Sequence, residues 1–263
     1  MAGAGRLGRR LTDRKGRPLL VPYITAGFPD ADATPDLMAA LARAGADVIE
    51  LGVPFSDPLA DGPTIQGSSQ ASLDAGGSLT ATLAALRAFR MLDETTPVVI
   101  FTYLNPVLRR GAQTFLAEAV ASGADGVLLT DLPMGEDPEL EAAFEDSPLD
   151  LVRLIAPTTP RDRALRIAAR AQGFLYYISR TGVTGARAEV RSGLAGEVAA
   201  LRAAARVPVV VGFGISTAAQ AAEVAGVADG VVVGSALIDL IRARGAGAAE
   251  AFIAELRAGL DGA

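Results

Sequence analysis

The phrase RAGADVIEL at Arg43–Leu51 contains the pattern from which the fold of this 263-residue chain can be read. A glycine follows an alanine-rich segment, and a short apolar run begins within a few residues. Closely similar phrases recur as ASGADGVLL at Ala121–Leu129 and VAGVADGVVV at Val224–Val233. In each phrase the glycine (Gly45, Gly123 or Gly226) is predicted to end a helix in the left-handed conformation. The repetition therefore predicts helices that alternate with buried strands.

Apolar, β-branched runs of this kind occur along the whole chain, and they are near-continuous, which is typical of parallel strands covered on both faces. The predicted strands are Leu19–Thr25, Asp47–Leu51, Val98–Tyr103, Gly126–Thr130, Leu151–Ile155, Phe174–Ser179, Pro208–Gly212 and Gly230–Val233. The predicted helices are Thr34–Ala44, Leu79–Arg90, Gln113–Ser122, Pro160–Ala171, Gly193–Ala205, Thr217–Ala225 and Ala248–Leu260. This alternation predicts an α/β fold, a single (β/α)8 TIM barrel with an N-terminal extension, as one domain over residues 1–263. A doubly wound open sheet is the alternative, but it would need a motif such as GxGxxG after the first strand, where the chain reads AGFPDAD.

The sequence continues as IELGVPFSDPLADGPTIQ over Ile49–Gln66, and two carboxylates in this segment are candidate catalytic groups. Glu50 lies inside the apolar run, where a carboxylate is costly unless it is exposed, paired or protonated. Asp61 follows in a loop rich in Gly, Pro and Asp. Two carboxylates in different environments are what paired acid/base chemistry requires. Strand alternation also allows a second interpretation, in which Glu50 points to solvent.

Barrel architecture predicts which further side chains meet these carboxylates, because chemistry in such barrels lies at the C-terminal ends of the strands and in the following loops. Tyr103 ends the third predicted strand and Asp131 follows the fourth. Tyr176 and Tyr177 are neighbours in the sixth, so one of them is expected to point inward. We expect these residues to converge with the carboxylates at one mouth.

The residue types that the chain lacks exclude several kinds of chemistry. It contains no His and no Cys, and Lys15 is the single lysine among 24 basic residues. Cysteine nucleophiles, histidine bases and the usual thiolate and imidazole zinc sites are therefore excluded. An imine with a carbonyl substrate or with pyridoxal phosphate would have to use Lys15, which lies in the polar turn TDRKGRP before the first strand. Proton transfer is left to Asp, Glu or Tyr.

Charge and hydropathy narrow the class of protein further. The net charge is −6 and the pI is about 4.8, and the arginines form no stripe, which argues against nucleic acid as a partner. The sequence shows no secretory signal and no apolar run of about 18 residues that would suggest a membrane span. The absence of Cys fits a cytoplasmic location.

Two glycine turns near the C-terminus indicate a phosphate site. The segment VVVGFGIS at Val209–Ser216 is a predicted strand that opens into a glycine pair, and VVVGS at Val231–Ser235 repeats the pattern. Glycine lets backbone N–H groups approach an anion, and turns after the last two strands are where barrels commonly bind phosphate. Gly182 and Gly185 could add a third side. The alternative is that these glycines serve only tight turns.

At this point the residues match a known family. The matching phrases are PYITAGFPD at Pro22–Asp30, the carboxylate stretch at Ile49–Gln66, GVLLTDLP at Gly126–Pro133, YYISRTGVTGAR at Tyr176–Arg187, VGFGIS at Val211–Ser216 and GSAL at Gly234–Leu237. The chain resembles the α subunit of tryptophan synthase over essentially its whole length. The resemblance implies retro-aldol cleavage of indole-3-glycerol phosphate to indole and glyceraldehyde 3-phosphate, a lyase reaction without metal or cofactor. Protonation of the indole at C3 makes an iminium, so the substrate supplies its own electron sink.

The resemblance also implies roles for individual residues. Glu50 matches the general acid/base, Asp61 matches the carboxylate that stabilises the indole nitrogen, and Tyr176 matches the active-site tyrosine. The phosphate cradle matches Gly185, Gly214, Gly234 and Ser235. The apolar walls around the indole correspond to Tyr23, Ile65, Phe101 and Phe213, which without the resemblance would be interpreted as barrel core.

A partner is implied as well. In this family the α subunit docks on a pyridoxal-phosphate β subunit in an α2β2 heterotetramer, and indole passes directly between them. The docking or switching segments implied for this chain are Pro54–Ala60, Asn105–Leu108, Asp131–Pro133 and Arg180–Arg191, the last as a lid. Two other functions are kept as alternatives: a barrel enzyme acting on a sugar phosphate, and a non-catalytic subunit that only activates its partner. A stand-alone lyase that releases indole is a variant of the α-type lyase that works with a β subunit.

Overall fold

Eight parallel strands form a closed barrel in this computed structural model, which describes residues 5–178, 193–212 and 214–262. The strands are β1 (Leu19–Thr25), β2 (Ile49–Gly52), β3 (Val98–Thr102), β4 (Gly126–Leu129), β5 (Asp150–Ile155), β6 (Leu175–Ile178), β7 (Val209–Gly212) and β8 (Gly230–Val233). Each strand pairs with the next in chain order, and β8 closes the barrel on β1. The predicted TIM barrel is confirmed, and the open-sheet alternative is wrong because β8 pairs with β1 and closes the sheet.

Helices cover the outside of the barrel. Within the described ranges they are α1 (Arg6–Asp13), α2 (Thr34–Arg43), α3 (Pro63–Asp74), α4 (Leu79–Arg90), α5 (Leu104–Arg110), α6 (Ala112–Ala121), α7 (Pro138–Glu145), α8 (Arg161–Arg170), α9 (Leu194–Ala204), α10 (Ala218–Ala225), α11 (Ser235–Arg244) and α12 (Ala248–Asp261). The seven predicted helices are present with small shifts at their ends. A search of these helices found none with the length and apolar character needed to cross a bilayer.

The glycines of the repeated phrase behave in two ways. Gly45 and Gly123 have positive φ angles of 99° and 89°, as predicted for left-handed helix ends. The prediction for Gly226 is wrong, because its φ is −63° and the helical turn continues through it. The reason is the length of the phrase: Val227 is an additional residue, and Val227 and Ala228 both donate backbone hydrogen bonds to the carbonyl of Val224.

The aspartate of each repeated phrase bonds to the start of a neighbouring strand. Asp47, Asp125 and Asp229 accept the backbone N–H groups of Leu20, Val98 and Val209, each at 2.9 Å. An arginine from an outer helix pairs with each carboxylate: Arg257 with Asp47, Arg90 with Asp125 and Arg202 with Asp229. These three aspartates therefore replace hydrogen bonds that the short strands cannot make, and they do so at the N-terminal end of the barrel.

The N-terminal extension is a helix that closes this end of the barrel. Leu7 and Leu11 of α1 are buried against the inner core. Arg6 and Arg14 form ion pairs with Asp125 and Asp229 at 2.9 and 3.2 Å, and Arg10 lies 3.8 Å from Asp47. Spacing of four residues puts the three arginines on one face of the helix, so each reaches one of the three aspartates.

Apolar side chains at alternate positions of the strands, or directly before them, fill the inside of the barrel. This inner core consists of Leu19, Val21, Val48, Val99, Leu128, Val152, Phe174, Val210 and Val232, together with the two leucines of α1. Glu50 lies two residues after Val48 and therefore faces inward, toward the C-terminal mouth. It is only 1% exposed, so the interpretation in which Glu50 points to solvent is wrong.

Candidate active site

A cavity of about 190 Å³ opens at the C-terminal mouth of the barrel, directly above the inner core. It is lined by Tyr23, Glu50, Asp61, Ile65, Phe101, Tyr176, Ile178, Gly212, Gly214, Ile215, Val232, Gly234 and Ser235. Nine predicted site residues are therefore brought together from six strands and their loops. A larger cavity of about 540 Å³ lies between α8 and α9, outside the barrel. The smaller cavity is the better candidate, because two carboxyl groups with raised pKa values lie in it.

Two predicted site residues, Gly185 and Phe213, lie outside the described residues. The same holds for Gly182 and for the predicted lid Arg180–Arg191. Their predicted roles stay predictions. In the part of the chain that the structure describes, no group of three Asp or Glu side chains is placed to hold a metal ion.

Glu50 is a buried carboxyl group that makes no hydrogen bond within the part of the chain that the structure describes. It pairs in register with Tyr23 of β1 and Val99 of β3. Neither carboxyl oxygen has a hydrogen-bond partner among the described residues. Burial therefore raises the pKa of Glu50 from 4.5 to about 8, because the charged form loses its hydration. At neutral pH the side chain is protonated and can act as an acid.

Asp61 has a different environment at the edge of the same cavity. The Tyr103 hydroxyl donates a hydrogen bond to Asp61 Oδ2 at 3.0 Å and accepts one from the backbone N–H of Ala60 at 3.1 Å. Burial raises the pKa of Asp61 to about 6, although the Tyr103 hydrogen bond opposes the rise. Asp61 is therefore ionised at neutral pH while Glu50 is protonated. Such a separation assigns one group as acid and the other as anion.

Tyr103, which was expected at the mouth but was given no role there, contacts the site through its hydrogen bond to Asp61. Its position at the end of the third strand was the available signal. Phe55 packs beside it with 5.1 Å between ring centroids. Asp131, the other residue expected at the mouth, does not line the cavity; its carboxylate accepts the backbone N–H of Leu104 at 2.7 Å, at the start of α5.

Two tyrosines enter the cavity over glycines of the next strand. The Tyr176 hydroxyl lies where a side chain on Gly212 would be, and the Tyr23 hydroxyl lies in the same way over Gly52. Only glycine at those positions leaves room for the rings. Tyr177 points outward and donates a hydrogen bond to Glu197, so Tyr176 is the inward member of the pair, as expected.

The opposite wall is formed by the two glycine turns. Gly214 follows β7 with a positive φ of 55°. Gly234 precedes α11, and no side chain of a described residue caps the N-terminus of this ten-residue helix. Ser235 is its first residue. The helix therefore directs its first backbone N–H groups and the positive end of its dipole toward the cavity, which is an arrangement suited to an anion.

Comparisons with known proteins agree with one another. The model of the family "Tryptophan synthase alpha chain" matches residues 10–258. The alpha chain from Geobacter sulfurreducens is 52% identical over 224 residues, 85% of this chain and 84% of that protein. The alpha chain from Xanthomonas euvesicatoria is 51% identical over 252 residues, 94% of each.

Solved structures give the same result for the fold. The tryptophan synthase subunit alpha from Legionella pneumophila aligns with a TM-score of 0.90 and 37% identity, covering 99% of this chain and 100% of that one. A chain of Mycobacterium tuberculosis tryptophan synthase aligns with a TM-score of 0.89 and 38% identity, covering 98% and 99%. The cavity, the two carboxyl groups and these similarities lead to one conclusion: the chain belongs to the tryptophan synthase alpha chain family.

Proposed function

We propose that Glu50 and Asp61 are the two catalytic carboxyl groups with which this chain cleaves indole-3-glycerol phosphate. The reaction gives indole and glyceraldehyde 3-phosphate, and it is the alpha reaction of tryptophan biosynthesis, a carbon–carbon lyase step. The observation that carries the assignment is that Glu50 and Asp61 share one cavity in different environments, Glu50 fully buried and Asp61 at the edge with a hydrogen bond from Tyr103, so that the pKa of Glu50 lies above that of Asp61.

The chemistry begins with protonation of the indole ring. Glu50 gives its proton to C3, which breaks the aromatic system and leaves an iminium at the ring nitrogen. Asp61 accepts the N–H hydrogen bond and stabilises this positive charge as it forms. Glu50, now a carboxylate, takes the proton of the glycerol hydroxyl next to C3. The bond between C3 and that carbon then breaks, the carbonyl of glyceraldehyde 3-phosphate forms, and the electron pair restores the aromatic indole.

The remaining cavity residues bind and orient the substrate. Ile65 and Phe101 supply apolar surface for the indole ring, and the Phe101 ring meets Tyr23 edge-to-face with 5.1 Å between centroids. Tyr176 completes the wall beside Glu50. We assign the phosphate to the turn with Gly214 and to the N-terminus of α11 with Gly234 and Ser235. Gly185 and Phe213 stay as predicted contributors to the phosphate cradle and the indole wall.

The direct test of function is release of indole from indole-3-glycerol phosphate, measured with and without a tryptophan synthase β subunit. Release by the chain alone supports the stand-alone variant, and release that needs the β subunit supports the paired enzyme. No release under either condition would favour the non-catalytic alternative. Turnover of a sugar phosphate in its place would favour the other barrel-enzyme class.

The phosphate assignment predicts a selective loss of affinity. We expect Gly214→Val and Ser235→Asp to weaken binding of glycerol 3-phosphate by about tenfold to a hundredfold, because each removes or opposes charge-assisted hydrogen bonds to the phosphate. Affinity for free indole should change much less. Isothermal titration calorimetry with the two ligands measures both.

Gly245 offers a matched control for the first variant. It has a positive φ of 81° and open space around it at the end of α11. Gly245→Val therefore introduces similar backbone strain without approaching the cavity. If Gly245→Val and Gly214→Val lower phosphate affinity equally, or if indole and the phosphate ligand lose affinity together, the glycine turns are only structural.

We also propose that the chain docks on a β subunit through its mouth, in an α2β2 heterotetramer. Two large apolar side chains in the predicted docking segments are open to solvent: Leu59 is 94% exposed and Leu108 is 53% exposed. Both follow strands whose C-terminal ends form the cavity. The hydrogen bond from Leu104 to Asp131 joins the helix that carries Leu108 to the loop after β4. These loops together offer an apolar surface of the kind that marks a protein interface.

This proposal predicts an effect of Leu59→Asp on assembly. Because Leu59 is almost fully exposed, the substitution should leave the fold intact while it weakens binding to the β subunit by about tenfold or more. Met91→Asp is the matched control, since Met91 is 86% exposed at the end of α4, near the N-terminal end of the barrel. Sedimentation or calorimetry with the β subunit gives the affinities. Equal effects of the two substitutions would contradict docking through the mouth.

Cellular location and domain organisation can be proposed on separate grounds. We propose that it works in the cytoplasm, because the chain has no cysteine to form disulfides and a biosynthetic enzyme works where its substrates are made. We also propose that residues 1–263 form one domain, since α1 and α12, near the two ends of the chain, both pack on the barrel.

A further inference from the structure

A chain of three hydroxyl groups runs from the cavity wall into the protein. The Tyr23 hydroxyl lies 3.3 Å from Thr25 Oγ1, and Thr25 Oγ1 lies 2.7 Å from Ser68 Oγ. Ser68 donates to the backbone carbonyl of Ile65 at 2.9 Å. All three hydroxyl residues are buried. Their contacts therefore link β1 to α3 and are shielded from solvent.

The direction of these hydrogen bonds follows from the last acceptor. A carbonyl oxygen cannot donate, so the bond to Ile65 must use the single proton of Ser68. Ser68 then accepts from Thr25, and Thr25 in turn accepts from Tyr23. This is the only order in which all three contacts are hydrogen bonds. The reverse order would bring two oxygens together at Ile65 without a proton between them, which is unfavourable in a buried position.

The consequence is that Tyr23 faces the cavity as an acceptor. Its proton points toward Thr25, so the oxygen presents its lone pairs and the negative end of its dipole to the cavity that it lines. The oxygen lies over Gly52, and both Asp61 and Glu50 are close enough to act on it electrostatically. The same two carboxyl groups are those assigned above to the reaction of the indole ring.

We propose that the hydroxyl chain fixes the dipole of Tyr23 so that its oxygen stabilises the positive charge on the protonated indole ring. Tyr23 then contributes more than an apolar wall, and Thr25 and Ser68 are positioning residues that act through it. A dipole that is already oriented costs no reorganisation when the charge develops. This inference rests on the proposed function, because the positive charge exists only if the ring is protonated.

The test combines Tyr23→Phe, Ser68→Ala and the double variant. Tyr23→Phe keeps the ring and removes the dipole, so kcat should fall about tenfold with KM within about twofold. In Ser68→Ala, Thr25 loses its acceptor and donates to Tyr23, which turns the Tyr23 proton toward the cavity. We expect kcat to fall at least as far as in Tyr23→Phe. In the Tyr23→Phe background, Ser68→Ala should then have no further effect on kcat.

Two comparisons separate this effect from loss of structure. Ser72 lies one helical turn after Ser68 and donates a hydrogen bond to the backbone carbonyl of Ala26 at 2.6 Å. Ser72→Ala therefore removes a similar buried hydrogen bond and leaves the three hydroxyl groups of Tyr23, Thr25 and Ser68 in place. It should lower the free energy of unfolding and leave kcat unchanged. Ser68→Thr keeps the hydroxyl and should restore most of the activity that Ser68→Ala loses.

Additive losses in the double variant, or a wild-type kcat in Tyr23→Phe, would overturn the proposal. Equal losses of kcat in Ser68→Ala and Ser72→Ala would also do so. A failure of the proposed function gives a different pattern, because Glu50→Gln would then retain activity. If Glu50→Gln is inactive and Tyr23→Phe is fully active, the reaction assignment stands and only the role of the hydroxyl chain is wrong.

Discussion

Glu50→Gln should abolish measurable release of indole from indole-3-glycerol phosphate. Loss of a general acid/base costs about 10²–10⁴ in rate, and in the proposed mechanism Glu50 serves both the proton transfer to C3 and the one from the glycerol hydroxyl, so we expect the upper end or beyond. Glutamine fills the same volume but carries no transferable proton. Stopped or continuous assays of indole release with saturating substrate measure the change in kcat. Turnover like that of the wild type in a folded variant would remove Glu50 from the mechanism.

The stability of the same variant provides the control for folding, and its dependence on pH has a defined sign. The pKa of Glu50 is about 8 in the folded chain, whereas an exposed glutamate, as in the unfolded chain, has a pKa of 4.5. The folded state therefore binds the proton more tightly, and the wild type loses stability as the pH rises from about 4.5 to about 8. Glutamine cannot ionise. We expect the free energy of unfolding of Glu50→Gln to exceed that of the wild type above pH 8, by an amount on the order of a few kcal/mol, and to match it near pH 4.

Asp61→Asn should lower kcat severely while KM changes much less. The carboxylate matters most when the indole nitrogen becomes cationic, so its loss acts on the transition state more than on the bound substrate. The amide keeps the size of the side chain and can still hold the Tyr103 hydrogen bond. Steady-state kinetics over a range of substrate concentrations separates the two constants. A raised KM with kcat preserved would make Asp61 a residue that only binds substrate.

The pH profile gives a second measure of Asp61. Since the pKa of Asp61 is about 6 and that of Glu50 is about 8, kcat/KM of the wild type should be highest between these values. Asp61→Asn should remove the decrease of kcat/KM at pH values below about 6. Tyr103→Phe removes the hydrogen bond that lowers the pKa of Asp61. The decrease of kcat/KM at low pH should therefore begin at a higher pH in this variant. An unchanged acid limb in both variants would mean that another group titrates there.

Most of the barrel could be predicted from sequence because local and tertiary preferences agree along most of the chain. The strands are β-branched runs flanked by glycine or proline, and the predicted helices are rich in alanine and leucine. The helix α3 is different. Its sequence PTIQGSSQASLD contains a glycine and several serines, which are weak helix formers, and it is held by tertiary contacts such as the Ser72 bond to Ala26. Its one local signal is Pro63 at the first helical position, which is not enough to outweigh the weak helix formers that follow.

Many of the residues that line the cavity could be predicted, but their geometry could not. The positions of Glu50 and Asp61 were readable, because each is a carboxylate in an unusual place in the sequence. The direction of Glu50 depends on the register of β2 between β1 and β3, and sequence alone left it open between cavity and solvent. The contact from Tyr103 to Asp61 depends on how the loop after β2 folds back over β3. That fold is set by tertiary packing, so the proton donor to Asp61 could not be identified from spacing.

The three aspartates that bond to strand starts, and the arginines of α1 that reach them, lie at the end of the barrel opposite to the cavity. Residues that bond to the strand starts are thus different from residues that line the cavity. A gene encoding such a chain can accumulate substitutions in its catalytic loops without losing the contacts that let the polypeptide fold. Laboratory selection for other indole-like substrates should therefore find its gains after β2, β6, β7 and β8, and should tolerate few changes at Asp47, Asp125 and Asp229.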